Sequence, residues 1–128
     1  VSIPVLKPNE AMVEEALAAS GNIALLATFA SAAPPMRAEI EAMASQKQVA
    51  LSLRVDTVAG ALAALQAGNA GEHDRLIAES ARGCVGCDVI LLGQFSMASA
   101  AHRVAEATGK PVLTSPGSAV ALLKRLLA

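Results

Sequence analysis

Polar and aromatic side chains follow the apolar runs of this sequence at the points where strands of a sheet would end. Two such sets lie at positions 28–31 and 94–97, and a third lies at positions 114–118. Open α/β sheets bind their ligands beyond the carboxyl ends of parallel strands, which lie along one edge. The candidate ligand-binding residues are therefore Thr28, Phe29, Ala30, Ser31, Gln94, Phe95, Ser96 and Met97.

The serines of these sets have two interpretations. Ser31, Ser96 and Ser118 can each cap the first turn of a following helix, a role that needs no ligand. The same geometry, a hydroxyl beside free N–H groups at a helix start, also suits a carboxylate. Two such positions side by side, after the first and third strands, favour an amino-acid-like ligand.

The two cysteines, Cys84 and Cys87, form one C-x-x-C motif. A structural zinc site needs about four ligands, and the sequence offers no second pair. A redox pair would stand at a helix start, where the dipole lowers a thiol pKa, whereas this pair ends a predicted helix. We interpret both as small buried or turn residues in a reducing compartment, and we expect neither a metal nor a cofactor.

Four short apolar runs have the length of strands and are bounded by turn or helix signals. They are Asn22–Ala27, Gln48–Val55, Asp88–Leu92 and Pro111–Leu113. Helical patterns, with apolar residues on one face, lie between and around these runs. The predicted helices are Asn9–Ser20, Ala33–Ser45, Thr57–Gln66, Glu72–Cys84, Met97–Ala107 and Ser118–Ala128.

The alternation of strands and helices predicts βαβ units with right-handed crossovers and a parallel sheet. The strands are near-continuous apolar runs, as a sheet covered on both faces requires. No linker or repeat interrupts this order across the 128 residues. We predict a single α/β domain, a flavodoxin-like three-layer α/β/α sandwich with a short four-stranded parallel sheet.

The composition excludes several classes of function. Hydrophobic residues make up 54% of the chain and charged residues 16%, which is not the composition of a disordered protein. The net charge of −1 gives no electrostatic reason to propose a nucleic acid or an anionic membrane as partner. No apolar run reaches the roughly 18 residues that span a bilayer, and no signal-peptide pattern opens the sequence. We expect a cytoplasmic protein.

Known motifs of other α/β proteins are also missing from the sequence. It has no G-x-G-x-x-G after a strand, no phosphate-binding G-x-x-x-x-G-K-[ST] and no G-x-S-x-G. A phospho-acceptor receiver domain would need acidic residues after the first and third strands, where Thr28 and Gln94 stand.

Several segments together resemble the aspartate/glutamate/hydantoin racemase family in their order and spacing. DVILLGQFSMASAA at positions 88–101, followed by GKPVLTSPGSAV at 109–120, is similar to the family's C-terminal signature. Positions 3–31 resemble the family's middle section. GALAALQAGNAGEHDRLIA at 60–78 resembles the subgroup that carries F-S-M or A-S-M where other members have a cysteine.

This resemblance implies a particular chemistry. Members of the family have two pseudo-symmetric α/β halves, each of which usually offers a cysteine at the end of a strand. The two thiols move the Cα proton of a substrate without a cofactor, one as base and the other as acid. Carboxylate recognition by hydroxyl and N–H groups after the strands would map to Thr28, Ser31 and Ser96. The implied substrate is a small carboxylate such as an amino acid or a malonate derivative.

This sequence departs from the family pattern at two places. Gln94 stands where the resemblance places the second cysteine, and glutamine has no acid–base capacity near neutral pH. Cys84 and Cys87 lie at the opposite end of the same predicted strand and cannot replace it. The half with the first cysteine would precede Val1.

We therefore expect the C-terminal half of a two-domain protein, inactive alone. If the missing half carries a cysteine, one-thiol chemistry is open to the pair, as in decarboxylase-like members of the superfamily. The alternative is a non-catalytic α/β domain that binds a small anion or a protein partner.

The last predicted helix, Ser118–Ala128, has apolar residues on more than one face. The resemblance implies that it packs toward the other half, so that an isolated domain would expose Leu122, Leu126 and Leu127. We predict a homo-oligomer, or a contact with a missing N-terminal half, that covers these residues. Size-exclusion chromatography is expected to show a dimer or a larger species, and a clean monomer would contradict this prediction.

Overall fold

Four parallel strands form one sheet in the computed structural model, which describes residues 10–114. The strands are β1 (Asn22–Ala27), β2 (Ser52–Thr57), β3 (Val89–Leu92) and β4 (Val112–Thr114). Their order across the sheet is β2-β1-β3-β4. All three neighbouring pairs are parallel, so a helical connection joins each strand to the next one along the chain.

Five α-helices connect or flank these strands in the described part of the chain. They are α1 (Glu10–Ala19), α2 (Ala33–Gln46), α3 (Ala61–Gln66), α4 (Ala70–Arg82) and α5 (Ala101–Thr108). Two short 3-10 helices follow the central strands, Ala30–Ala32 after β1 and Phe95–Ala100 after β3. We call Gln94 together with Phe95–Ala100 the Gln94 turn. No helix in residues 10–114 is both long enough and apolar enough to cross a membrane.

The helices cover the sheet on both faces and form two separate apolar clusters. Ile23 and Leu25 of β1 pack with residues of α1 and α2, whereas Ala24 and Leu26 pack with residues of α3, α4 and α5. Successive residues of a strand point to opposite faces, so one apolar run serves both clusters. The predicted flavodoxin-like three-layer α/β/α sandwich with a four-stranded parallel sheet is thus confirmed.

The predicted bounds hold best for the two central strands. β1 has the predicted limits, and β3 begins one residue later than predicted, because both are buried apolar runs. β2 lies further along the chain than the predicted Gln48–Val55. The reason is that Gln48 adopts a left-handed conformation (φ 57°) and the Val49 N–H bonds to Ala44 O, so this segment closes α2 instead.

Other helix bounds also differ from the predictions. α3 begins at Ala61 rather than Thr57, because β2 continues to Thr57 and Gly60, with a φ of 81°, turns the chain into the helix. The predicted helix Met97–Ala107 is divided into the 3-10 helix of the Gln94 turn and α5. The predicted helix Ser118–Ala128 lies outside the described residues.

Gly93 links β3 to the Gln94 turn in a space that has no room for a side chain. A Cβ atom at this position would lie 2.8 Å from Met36 Sδ and 3.0 Å from Leu26 O. The sulfur belongs to a flexible side chain, but Leu26 O already accepts a hydrogen bond from Gly93 N at 2.9 Å. A side chain here would therefore push β3 away from β1 at the end that leads to Gln94.

Gly93→Ala is expected to lower the free energy of unfolding by about 1–3 kcal/mol, the usual cost of overpacking. Gly86→Ala is a matched control, because nothing lies within 4 Å of a Cβ at that position. The control should be neutral, or stabilising by less than about 1 kcal/mol. Urea denaturation of both variants measures the difference, and equal midpoints would show that the contact with Leu26 O relaxes freely.

Candidate functional site

Thr28 and Gln94 meet at the carboxyl edge of the sheet, where β1 and β3 end side by side. The backbone N–H of Thr28 donates to Gln94 Oε1 at 2.6 Å. The Thr28 hydroxyl donates to the same oxygen at 2.7 Å. Thr28 is buried and Gln94 is partly buried. The two sets of candidate residues are therefore joined by a side chain that spans neighbouring strands.

These hydrogen bonds determine which way the Gln94 amide points. A backbone N–H can only donate, so the amide atom that faces it must be the oxygen. The Gln94 Nε2 group, with two N–H donors, then faces away from Thr28, and it has no hydrogen-bond partner among residues 10–114. Both donors of Thr28 are occupied, so within this pair the donors that remain for a ligand are those of the Gln94 amide.

The other candidates after β1 lie at the surface. Phe29, 39% exposed, precedes the 3-10 helix Ala30–Ala32, and Ala30 and Ser31 are also exposed. Of the two interpretations of Ser31, the cap is not observed, since α2 begins at Ala33 after Ala32, with no side-chain cap. Ser31 lies inside the 3-10 helix, because the chain makes one tight turn before the α-helix begins.

The candidates after β3 are divided between the surface and the core. Phe95 and Ser96 belong to the 3-10 helix of the Gln94 turn, and Ser96 is exposed. Ser96 is not an N-cap either, because the cap position is occupied by Gln94 in extended backbone. Met97 is fully buried and packs in the apolar cluster of α3, α4 and α5, so the structure places it in the core.

The third set of candidates is described only in part. Thr114 ends β4 and is partly buried, whereas positions 115–118, including the predicted cap Ser118, lie outside the described residues. β4 pairs with β3, so Thr114 comes to the same sheet edge as Gln94.

A polar cluster that sequence reasoning missed lies beside the Gln94 turn. His73 Nδ1 is 2.8 Å from Asp74 Oδ1, and Ser99 Oγ donates to the same carboxylate oxygen at 2.9 Å. His73 is fully buried in α4. One signal was available, because His73 precedes Leu76 by three and Ile77 by four residues, which places it on the apolar face of the predicted helix.

The two cysteines lie away from this edge. Both are buried and free, as expected from the sequence, and they precede β3 at its amino end. Lys110 Nζ donates to Cys84 O at 2.6 Å and to Val85 O at 3.0 Å, which ties this loop to the start of β4. A surface cavity of about 200 Å³ lies beside Cys84, Val85 and Lys110.

The environment of Cys84 disfavours a thiolate. Burial raises the pKa of the Cys84 thiol above its ordinary value, and the Asp56 carboxylate, with Oδ2 at 3.7 Å from Sγ, raises the pKa further. The Arg54 guanidinium opposes this but does not reverse it. Within residues 10–114 no group of three or more His, Cys, Asp or Glu side chains is placed to hold a metal ion.

The family model for the Asp/Glu/hydantoin racemases matches residues 1–123. The chain belongs to this family. No protein of curated function matches the sequence. Among solved structures, the crystal structure of allantoin racemase from Pseudomonas fluorescens has a similar fold, with a TM-score of 0.75 at 21% sequence identity. The match covers 99% of this chain and 54% of the allantoin racemase, so this racemase-family chain spans about half the length of that enzyme.

Cys84 is expected to react slowly with iodoacetamide in the folded protein. In a Cys87→Ala background, the alkylation rate should rise with pH around a midpoint above 9.0, the ordinary thiol value, because only the thiolate reacts. The folded pKa exceeds the unfolded one, so unfolding free energy should also decrease as pH rises above 9.0. Urea-unfolded protein is the reference, and a folded-state midpoint below that of the unfolded chain would contradict the assignment.

Proposed function

We propose that this chain is the C-terminal half of a cofactor-independent, racemase-like isomerase or decarboxylase. The substrate is a small carboxylate, and the reaction occurs at its Cα. This half contributes oriented hydrogen-bond donors at Gln94, and the thiol comes from the other half. Membership in the Asp/Glu/hydantoin racemase family and a fold shared with an enzyme named as a racemase support the reaction class.

The observation that carries the proposal is the pair of hydrogen bonds from Thr28 to Gln94 Oε1. They lie at the carboxyl edge of the central strands, where the resemblance places the second thiol of the family. Gln94 reaches this place from an extended residue after Gly93, with its amide oxygen held by two donors. A residue held in this way keeps its two Nε2 hydrogens directed away from Thr28. Because the side chain is already ordered in the folded state, little further conformational entropy is lost when a ligand binds.

These donors suit the charge that develops during the proposed reaction. When a Cα–H or Cα–CO₂ bond breaks, its electron pair moves from Cα into the neighbouring carboxylate, whose oxygens become more negative. Preorganised N–H groups stabilise such a developing charge more than they stabilise the substrate. The Gln94 amide can therefore act as an oxyanion-stabilising group, a role that glutamine performs without gaining or losing a proton.

The proton balance distinguishes the possible reactions. Two-base racemisation takes the Cα proton on one face and delivers another on the opposite face, which requires an acid–base group on each side. Gln94 cannot serve as one of them, so a single thiol on the other half acts from one face only. In a decarboxylation that thiol protonates the carbanion after CO₂ leaves. In an exchange reaction it removes and returns the proton on the same face.

The proposal also concerns assembly and location. Residues 1–128 form one α/β domain, and an N-terminal half supplies the thiol across an interface; a homo-oligomer is the other assembly that we propose. A cytoplasmic location fits because a catalytic thiol must stay reduced. No cofactor takes part.

The test is exchange of the Cα hydrogen in deuterated buffer by the full-length protein that contains these residues, followed by ¹H NMR. Dicarboxylic amino acids and substituted malonates are the substrates, and loss of the Cα–H signal or release of CO₂ is the expected result. Gln94→Glu should reduce the rate about 100- to 1000-fold, as loss of an oxyanion-stabilising donor does. A carboxylate oxygen still accepts both bonds from Thr28, so the fold should be preserved.

Gln66→Glu is the matched control, because Gln66 is exposed at the end of α3 and lies in none of the candidate sets. It should leave the rate unchanged. Full activity of Gln94→Glu would contradict the role of the amide. Binding of a small anion with neither exchange nor CO₂ release would instead favour the alternative, a non-catalytic binding domain.

A further inference from the structure

His73 is fully buried, yet within the described part of the chain only one of its two ring nitrogens has a partner. Nδ1 lies 2.8 Å from Asp74 Oδ1, whereas Nε2 has no hydrogen-bond partner among residues 10–114. A buried nitrogen without a partner is unfavourable for folding, and a leucine in its place would avoid that cost. Stability alone therefore does not account for a histidine at this position.

The partnered side of the ring leads directly to the Gln94 turn. Asp74 Oδ1 accepts from Ser99 Oγ at 2.9 Å as well as facing His73 Nδ1. In the tautomer with its ring proton on Nδ1, His73 donates to this oxygen as a second donor beside Ser99. His73 thus fixes the Asp74 carboxylate, and the carboxylate holds Ser99 within the 3-10 helix that Gln94 begins.

This cluster lies at the same edge of the sheet as Thr28 and Gln94. α4 precedes β3 and returns antiparallel to the strands, so its first turn, with His73 and Asp74, is at the carboxyl edge. Arg103 Nη1 donates to Gly71 O at 2.9 Å and ties the start of α4 to α5, which follows the Gln94 turn. The helices on both sides of the turn are therefore connected to each other.

The Gln94 turn is held at both ends and in the middle. Gln94 bonds to Thr28 at its start, Ser99 bonds to Asp74 near its end, and the Met97 side chain is buried between them. Removing one end would leave the amide attached to β1 but would release the backbone that carries it. The position of the Gln94 amide donors thus depends on the buried side chain of Met97 and on Asp74 of α4.

We propose that His73 is a positioning residue for Gln94, acting through Asp74 and Ser99 from within the core. The inference rests on the proposed function for its catalytic consequence, but the structural connection can be tested by itself. Displacement of catalytic groups by about 1 Å can reduce a rate by about 100-fold, so a large effect on kcat is expected without direct contact between His73 and the substrate.

The experiment compares two amide substitutions that each mimic one ring nitrogen. An asparagine places its amide nitrogen at the δ position and can donate to Asp74 as Nδ1 does, whereas a glutamine places its nitrogen at the ε position. ¹H–¹⁵N NMR of the full-length protein reports the side-chain amide of Gln94 and the backbone amide of Ser99. We expect His73→Asn to resemble the natural protein and His73→Gln to shift both signals.

Ser99→Ala is the decisive variant, because Ser99 is exposed and its loss should not prevent folding. It should shift the Gln94 side-chain amide, whereas Ser45→Ala, at an exposed serine of α2, should not. His102→Asn controls for the histidine change, since His102 is exposed on α5. An unshifted Gln94 amide in Ser99→Ala, or a pattern in which glutamine rescues and asparagine does not, would overturn the proposal.

Measurements of kcat and KM test the positioning role of His73 separately from the proposed function. If the natural protein exchanges the Cα hydrogen, His73→Gln and Ser99→Ala should lower kcat by up to about 100-fold with little change in KM, and His73→Asn should recover most of it. If the natural protein shows neither exchange nor release of CO₂, the proposed function fails. The NMR comparison then still decides whether His73 positions Gln94.

Discussion

The pairing of β1 with β3 is the constraint on which the rest of this structure depends. Both strands are apolar throughout their buried lengths and are covered by helices on both faces. Their register aligns Leu26 with Leu92, and Gly93 N extends the pairing by bonding to Leu26 O. The two strands therefore end at the same level, and the first polar residue after each, Thr28 and Gln94, is within hydrogen-bond reach of the other.

A glutamine at this place changes what the edge can contribute to chemistry. A thiol there would exchange protons, whereas an amide held by Thr28 can only present donors in a fixed direction. The contribution of this edge is therefore electrostatic in character, and under the proposed function the proton transfer belongs to a different part of the protein. Met97 in the core and Asp74 of α4 both hold the Gln94 turn in place. Such support suits the Gln94 amide, because the strength of its hydrogen bonds to a ligand depends on its orientation.

The sequence was most informative where one physical effect dominates. Burial on both faces produces the apolar runs of β1 and β3, so their limits and the edge that they share could be predicted. The sequence left two interpretations open for Ser31 and Ser96, and the capping one is not observed, because a tight 3-10 helix and a capped α-helix begin with similar residues. The polar cluster of His73 was missed because a helical pattern shows which face is buried, whereas Ser99, which bonds to the same Asp74 oxygen, comes from a distant segment that only the tertiary fold brings near.

Within residues 10–114, β2 is an outer strand of the sheet and carries charged side chains. Unlike β1, it is only partly buried, and on one face it carries Arg54 and Asp56, paired at 2.8 Å, where β1 has small and branched apolar residues. Arg54 also donates to Gly83 O, which joins this rim to the end of α4. Charged side chains on an outer strand discourage foreign strands from adding to it. The charges on β2 thus disfavour pairing of this strand with strands of other molecules, which is a first step of aggregation.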